Sequence, residues 1–168
     1  MKKALLLLAL GLCLVAVVLA APDFSGTWAM NAEKSAAANP AAAAGGGGGM
    51  GGGGGRGGGG GMGGEMTIKQ AGNVLTISRA MGQNTMETAY TLDGAEHTAT
   101  SQQGDLKYKA VLSANSIHIT GTQGSQRGDR PVDQTYSISD DGKTLTLATV
   151  NQGQDGTATT RKQVYDKK

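Results

Sequence analysis

Residues 132–147 read Val-Asp-Gln-Thr-Tyr-Ser-Ile-Ser-Asp-Asp-Gly-Lys-Thr-Leu-Thr-Leu, and this stretch decides the fold class. Its apolar and aromatic residues occupy every second position on both sides of Asp-Asp-Gly. Alternation with a period of two is typical of a half-buried β-strand. A short Asp/Gly cluster between two such runs is a hairpin signal. The stretch therefore predicts two antiparallel strands joined by a tight turn.

The same alternation recurs along most of the chain. Ten strands are predicted, and they lie near residues 24–30, 66–70, 75–77, 86–92, 97, 106–112, 117–119, 132–138, 145–147 and 157–165. Asp93-Gly94 is taken as one of the turns between them. No segment shows helical spacing, so we expect an all-β protein. Short strands that follow one another through tight turns favour an up-and-down antiparallel β-barrel of about ten (eight to ten) strands, with a sandwich as the alternative.

The apolar set available to fill this fold is small. Leu, Ile, Val and Phe together number 17 between residues 21 and 168. A barrel with a partly hydrated interior suits so lean a set better than a tightly packed sandwich does.

The N-terminus has the parts of a secretory signal peptide. Lys2 and Lys3 precede an uncharged apolar run from Ala4 to Leu19, and small residues before Ala21 suit cleavage after residue 20. We expect residues 1–20 to be a cleavable signal and the protein to be exported, to a bacterial periplasm or the extracellular space. The alternatives are an uncleaved anchor, for which the run is barely long enough, and a lipoprotein at Cys13, which lacks the small preceding residue that lipid attachment requires.

Cleavage after residue 20 would change the chemistry of the protein. Cys13 is the only cysteine, so the mature chain would have no disulfide and no thiolate metal ligand. The chain has 15 basic and 13 acidic residues; without Lys2 and Lys3 the two numbers are equal. A neutral protein lacks the basic surface that nucleic-acid binding requires. We expect no nucleic-acid partner and no stable membrane anchor after cleavage.

The mature chain divides into three parts by composition. Residues 21–35 are predicted to form the first strand of the β domain, and residues 65–168 the remainder of the barrel. Residues 36–64 are rich in Ala and Gly, with runs of five glycines before Met50, Arg56 and Met62. Glycine loses the most backbone entropy on ordering and has no side chain to bury. We therefore expect a disordered insertion after the first strand.

The two ends of the β domain carry a family resemblance. Phe24-Ser25-Gly26-Thr27-Trp28 near the start and Val164-Tyr165-Asp166-Lys167 near the end resemble the fatty-acid-binding-protein and lipocalin barrels (calycins). Residues 31–35 and 139–147 also resemble small exported bacterial proteins of lipocalin-like type. The resemblance implies structural roles for Gly26, where backbones approach closely, and for Trp28, which plugs one end of the barrel.

The resemblance also implies a small hydrophobic or amphipathic ligand. In fatty-acid-binding proteins an Arg and a Tyr of the last strand bind the ligand carboxylate. Tyr165 matches the Tyr, but the Arg position holds Gln163, and Arg161 lies two residues earlier on the same face. The family's helical lid would fall in the Ala/Gly-rich segment, which predicts an unlidded or loosely covered mouth. Resemblance and alternation together give five inward ligand-binding candidates: Tyr90, Tyr108, Tyr136, Arg161 and Tyr165.

No catalytic or metal-binding pattern accompanies these candidates. His97 and His118 lack the neighbouring ligands of a metal site, and no serine lies in a nucleophile elbow. Arg127-Gly128-Asp129 is interpreted as a charged hairpin tip. We expect no cofactor and no enzymatic activity. The alternative to a ligand carrier is an envelope or matrix protein whose barrel holds no ligand and whose Gly-rich segment mediates contacts; protein partners stay open.

Overall fold

The computed structural model describes residues 22–40, 64–81, 84–101, 104–125, 128–153 and 156–168. The predicted signal peptide and residues 41–63 of the Ala/Gly-rich segment lie outside these ranges. The described elements, in chain order, are β1 (Gly26–Met30), α1 (Ala32–Ala37), β2 (Glu65–Ala71), β3 (Val74–Met81), β4 (Asn84–Thr91), β5 (Asp93–Ser101), β6 (Gly104–Leu112), β7 (Ser116–Gln123), β8 (Arg130–Ile138), β9 (Thr144–Gln152) and β10 (Ala158–Lys167).

The ten strands form one sheet that curls into a nearly closed antiparallel barrel. The strand order is β4-β3-β2-β1-β10-β9-β8-β7-β6-β5, so that the first strand pairs with the last. Every other pairing within the sheet joins strands that follow one another in the chain. This arrangement confirms the predicted fold class.

The hairpin at residues 132–147 shows how alternation becomes a core. Tyr136 pairs with Leu147 and Ile138 with Leu145, and all four side chains are buried on the inner face. The turn between the strands is held by Asp141, whose carboxylate accepts a hydrogen bond of 3.0 Å from the Lys143 backbone N–H.

The barrel has a seam between β4 and β5, because no ladder joins these strands among the described residues. The expected turn at Asp93-Gly94 is wrong: both residues belong to β5, where the register shifts between Asp93 and Glu96. A side chain bridges the seam instead. The Thr91 backbone N–H donates to the Tyr108 hydroxyl at 3.0 Å.

The expectation of no helix is also wrong, at α1. Asn31 caps this helix by accepting a hydrogen bond of 2.9 Å from the Lys34 backbone N–H. The negative charge of Glu33 in the first turn interacts favourably with the positive end of the helix dipole. The alanines that follow are strong helix formers. The cap residue followed by Ala-Glu was a helix-start signal. Its six residues are too few to show the amphipathic period on which the prediction relied.

The opposite end of the barrel from α1 is closed around β1. Trp28 is fully buried, and its indole N–H donates to the Phe24 carbonyl oxygen at 3.1 Å. Gly26 has a φ of +149°, and a Cβ there would lie 2.7 Å from Cε of Lys167. The positive φ favours glycine here, whereas the contact is with the flexible end of the Lys167 side chain, which can move. The structural roles that the resemblance implies for Gly26 and Trp28 stay a prediction.

Candidate functional site

The barrel interior is divided into two parts along its length. In the part nearest the Trp28 plug, which we call the packed half, the inward side chains form one apolar cluster. Members that are at most 2% exposed include Phe24, Trp28, Ile68, Leu75, Ile117, Ile119, Leu145, Leu147 and Tyr165. In the part nearest α1, the mouth half, many inward positions are solvent-accessible and polar. They include Gln134, Thr149, Asn151, Thr159 and Arg161.

Arg79 lies where these two halves meet. It is the inward residue that follows Leu75 and Ile77 on β3. Its Nη2 donates a hydrogen bond of 3.0 Å to the hydroxyl of Tyr136 on β8. The two strands are five places apart in a sheet of ten, so they face each other across the interior. The Arg79–Tyr136 pair therefore spans the barrel.

The guanidinium of Arg79 is incompletely satisfied. Its Nε is buried and has no hydrogen-bond partner. Among the residues that the structure describes, no carboxylate forms an ion pair with it. Its remaining contact is a weak one, from Nη2 to Sδ of Met66 at 3.9 Å. Arg79 as a whole is half-buried, and a charge that is partly removed from water is stabilised by a partner, so this arrangement is suited to receive an anion.

The nearby tyrosines do not supply that negative charge. Burial raises the pKa values of Tyr90, Tyr136 and Tyr165, while the positive charge of Arg79 acts in the opposite direction on all three. Their hydroxyl groups are therefore neutral at physiological pH. Arg79 is a cation among uncharged hydrogen-bonding groups.

The five predicted residues occupy different environments. Tyr136 contacts Arg79. Tyr165 is buried, and the positive charge of Arg79 acts to lower its pKa. Tyr90 and Tyr108 stack edge to face at 5.1 Å beside the β4–β5 seam, where the Tyr108 hydroxyl bonds to backbone. Arg161 is exposed in the mouth half, on the inner face of β10 opposite Thr149. Whether these residues bind a ligand stays a prediction.

Sequence reasoning missed Arg79. The signal was present, because alternation from Leu75 and Ile77 places residue 79 on the same inner face. An arginine at the end of a strand is usually solvated, and the family motif drew attention to the last strand instead. Only barrel closure brings Arg79 to Tyr136, which lies 57 residues away in the chain.

The mouth half contains a cavity of about 630 Å³ between α1 and the ends of β9 and β10. Volumes of this size are ordinary for small-molecule sites. Its walls combine apolar Met30 and Ala36 with polar groups of β10, including Arg161 and Gln163. The Gln163 amide lies 3.9 Å from Sδ of Met30.

The helix α1 covers this cavity because it is bound to the edge of β10. The Asn31 backbone N–H donates to the Val164 carbonyl at 2.8 Å, and Ser35 Oγ accepts from the Val164 N–H at 2.8 Å. One turn further, the Asn39 amide both accepts from the Lys162 N–H and donates to its carbonyl, at 2.9 and 2.7 Å. Side chains thus continue the ladder beyond the end of β1. Whether the mouth is unlidded or loosely covered stays a prediction, since residues 41–63 lie outside the described residues.

Each of the two histidines is within hydrogen-bond distance of an aspartate carboxylate, and the two do not form a cluster. His97 lies 2.8 Å from Asp93, and His118 lies 2.9 Å from Asp133. The described part of the chain has no group of three or more His, Cys, Asp or Glu side chains arranged to hold a metal ion. Nor does that part contain a helix long and apolar enough to cross a membrane.

The barrel has ten strands in up-and-down order, Gly-x-Trp on its first strand, a seam between its fourth and fifth strands and a helix after β1. These features define a calycin fold of the lipocalin and fatty-acid-binding type. Solved structures share this fold. The chain is similar to a REP1-NXSQ fatty acid transporter, with 13% identity over 86% of this chain and 95% of that chain and a TM-score of 0.52. It is also similar to human cRBP IV, with 16% identity over 87% and 98% of the two chains and a TM-score of 0.53.

At these identities the similarity establishes the fold alone. No protein-family model matches the chain, and no curated protein sequence matches it. The residues of the interior must therefore provide the evidence on ligands.

Proposed function

We propose that this protein is a non-enzymatic carrier that binds a small amphipathic molecule with an anionic headgroup inside its barrel. The observation that carries the proposal is the Arg79–Tyr136 pair, in which a half-buried cation has a buried Nε without a partner and neutral tyrosine neighbours. A carboxylate at this point would accept hydrogen bonds from the guanidinium and from the Tyr136 hydroxyl. That the similar REP1-NXSQ protein is a fatty acid transporter adds support from the fold.

Apolar side chains near the pair suit the rest of such a molecule. Met66 contacts the guanidinium, Met86 on β4 is the register partner of Arg79, and Met30 on β1 lines the cavity beside α1. Methionine is flexible and polarisable, so it adapts to apolar ligands of differing shape. The interior thus offers one fixed polar contact and an adaptable apolar wall.

The test is a competition experiment on protein first stripped of copurifying molecules by organic extraction. Anilinonaphthalene sulfonate would be bound and then displaced with octanoate. We expect Arg79→Gln to weaken octanoate binding about tenfold or more, because one charge-assisted hydrogen bond contributes about 1.5–3 kcal/mol. Lys107→Gln, which removes one positive charge from the exposed outer face of β6, is the matched control and should leave binding unchanged.

Arg161→Gln separates two locations for the headgroup. Arg161 is exposed in the mouth half, where solvent screens its charge, so its loss should weaken binding less than the loss of Arg79 does. If Arg161→Gln weakened binding more than Arg79→Gln does, the headgroup site would instead be assigned to the last strand. Binding that is equally strong in wild type and Arg79→Gln would contradict the proposed anion site.

The alternative function, a structural envelope or matrix protein with an unoccupied barrel, is favoured by the packed half. That half holds one continuous apolar cluster, which stabilises the fold without any ligand. Native mass spectrometry of freshly purified protein distinguishes the two functions. A molecule bound to the purified protein supports the carrier function. An unliganded protein that binds neither the dye nor octanoate supports the structural function.

We also propose that the protein is exported after loss of residues 1–20. The support is the sequence of the N-terminus alone. Intact mass measurement of protein recovered from the periplasm or culture medium of an expressing bacterium should give a chain that begins at Ala21. Retention of residues 1–20 in a membrane fraction would favour the uncleaved anchor.

A further inference from the structure

We infer that the exposed edge of β10, from Ala158 to Lys162, binds an extended acidic peptide that pairs with it as an added strand. This interaction takes place at the wall of the barrel, so it is independent of whether the interior holds a ligand. Three features lead to it: the partial pairing of β10, the hydrogen bonds of α1, and the charges beside the cavity that α1 covers.

The edge of β10 is covered only in part by the first strand. β10 has ten residues, and β1 pairs with it from Tyr165 to Lys167. On its other side β10 pairs with β9 along nearly its whole length, from Ala158 to Asp166. Among the described strands, the part of β10 that precedes Tyr165 therefore has a neighbour on one side alone.

Side chains of α1 and its C-terminal flank take the place of a strand for two residues of this edge. Ser35 Oγ accepts a hydrogen bond from the Val164 N–H, and the Asn39 amide bonds to both backbone groups of Lys162. Val164 and Lys162 are two residues apart, because every second residue of a strand points its N–H and C=O groups toward the same neighbour. These side chains thus satisfy the edge as far as Lys162.

The next backbone groups along this edge are those of Thr160 and Ala158. No residue in the described ranges bonds to their N–H or C=O groups on the side away from β9. Both residues are exposed. The edge thus offers two donors and two acceptors at the spacing of a β-ladder, which is what an extended peptide requires in order to bind by strand addition.

The side chains at this edge select the charge of the peptide. Arg161 and Lys162 line the cavity beside α1, and neither forms an ion pair with any residue that the structure describes. The described lining of that cavity includes no carboxylate. Arg161 lies on the inner face of β10 and Lys162 on the outer face, so acidic side chains at two successive positions of an added strand would each reach one cation.

The same charges disfavour a second copy of this chain as the occupant. If two β10 edges paired antiparallel about Thr160, Arg161 and Lys162 of both chains would lie in one short ladder without a carboxylate. Like charges that are neighbours across strands are destabilising. Charged side chains at a sheet edge commonly prevent indiscriminate pairing, and an acidic segment is the partner that these two cations favour.

The experiment measures fluorescence anisotropy of a labelled peptide, Thr-Val-Thr-Glu-Glu-Thr-Val-Thr, with purified protein. A peptide with lysines in place of the two glutamates should bind at least about tenfold more weakly, because two attractive pairs become repulsive. A glutamate peptide that is N-methylated at alternate backbone nitrogens keeps its charge and loses ladder hydrogen bonds, so it should also bind at least about tenfold more weakly. Equal binding of the lysine peptide would overturn the acidic partner, and equal binding of the methylated peptide would overturn the added strand.

Amide hydrogen exchange locates the bound peptide. Saturation with the glutamate peptide should slow exchange at the Thr160 N–H at least about tenfold and leave the Arg161 N–H, which faces β9, unchanged. Peptide binding without this protection would place the peptide elsewhere and overturn the inference. Protection of Thr160 in the free protein would show that another part of the chain or a second copy already occupies the edge, with the same consequence.

Two variants test the edge from the side of the protein. Thr160→Pro removes the central N–H and blocks an added strand, and proline is tolerated at an edge where its nitrogen faces away from the sheet. We expect it to abolish peptide binding. Lys162→Gln should weaken binding about twofold to fivefold, whereas the matched control Lys107→Gln on the outer face of β6 should leave it unchanged. Equal effects of these two glutamine variants would overturn the charge selection.

Discussion

The Nη2 atom of Arg79 lies 3.0 Å from the hydroxyl oxygen of Tyr136, and this hydrogen bond joins two strands that face each other across the barrel. It divides the interior into a packed half and an accessible mouth half. The pair is incompletely satisfied, since Arg79 Nε has no partner. A protein that keeps such a group retains it against its own stability, as is common at binding sites.

Arg79→Met should therefore stabilise the ligand-free protein. The substitution removes a half-buried, unpaired charge and keeps an apolar chain of similar length against Met66, so we expect the free energy of unfolding to rise by about 1 kcal/mol. Urea unfolding of extracted protein measures the change. Lys107→Met on the outer face serves as the control and should lie within about 0.5 kcal/mol of wild type. A loss of stability in Arg79→Met would instead make Arg79 a structural residue.

The seam between β4 and β5 depends on the hydroxyl of Tyr108. Tyr108→Phe keeps the ring stacked against Tyr90 but leaves the Thr91 N–H without its acceptor. We expect a destabilisation of about 1 kcal/mol, the usual effect of an unsatisfied donor. Amide hydrogen exchange should become faster at Thr91. Unchanged protection of this amide would mean that water replaces the hydroxyl without loss.

The contributions of individual side chains to the contact between α1 and β10 can be measured separately. Ser35→Ala removes the acceptor of the Val164 N–H, and Asn39→Ala removes that of the Lys162 N–H. We expect each variant to accelerate amide exchange mainly at its own partner. The two variants thus control for each other. If both accelerate the same set of amides equally, α1 detaches from β10 as a unit.

Asp166 links α1 to the outer face of β10 in a pH-dependent way. Hydrogen bonds from the Lys34 side chain and then from Asn31 hold the pKa of Asp166 below its ordinary value of 3.8. Since the folded-state pKa is depressed, the stabilisation is present above the unfolded-state pKa and is lost as pH falls through the lower folded-state value.

Lys34→Gln should raise the pKa of Asp166 toward 3.8, as measured by NMR titration of the carboxyl carbon. The difference in stability between wild type and Lys34→Gln should shrink as the pH falls below about 3.8. Lys69→Gln, at an exposed position on β2, is the control and should leave this titration unchanged. An unaltered Asp166 pKa in Lys34→Gln would show that the ion pair is not formed in solution.

The sequence by itself determined the fold class and the inward faces. Alternation with a period of two decides which side chains share a face, and in hairpins the pairing follows from the chain order. Tyr90, Tyr108, Tyr136 and Tyr165 are buried for this local reason. Glycine at position 26 and Trp28 likewise follow from requirements of the first strand. The helix α1 was not predicted, because so short a helix has an N-cap residue but shows no helical periodicity in its sequence.

Only the tertiary structure decided which inward residue becomes the candidate site. Alternation gives the face of a residue but not its depth in the barrel or the strand that lies opposite. Those depend on the tilt and register of ten strands and on closure through the β1–β10 pairing. Closure places Arg79 against Tyr136 and leaves Arg161, which the family motif favoured, exposed near α1. A charge is better suited to bind a ligand where the surrounding chain partly removes it from water, as at the half-buried Arg79, and that is a property of the whole barrel.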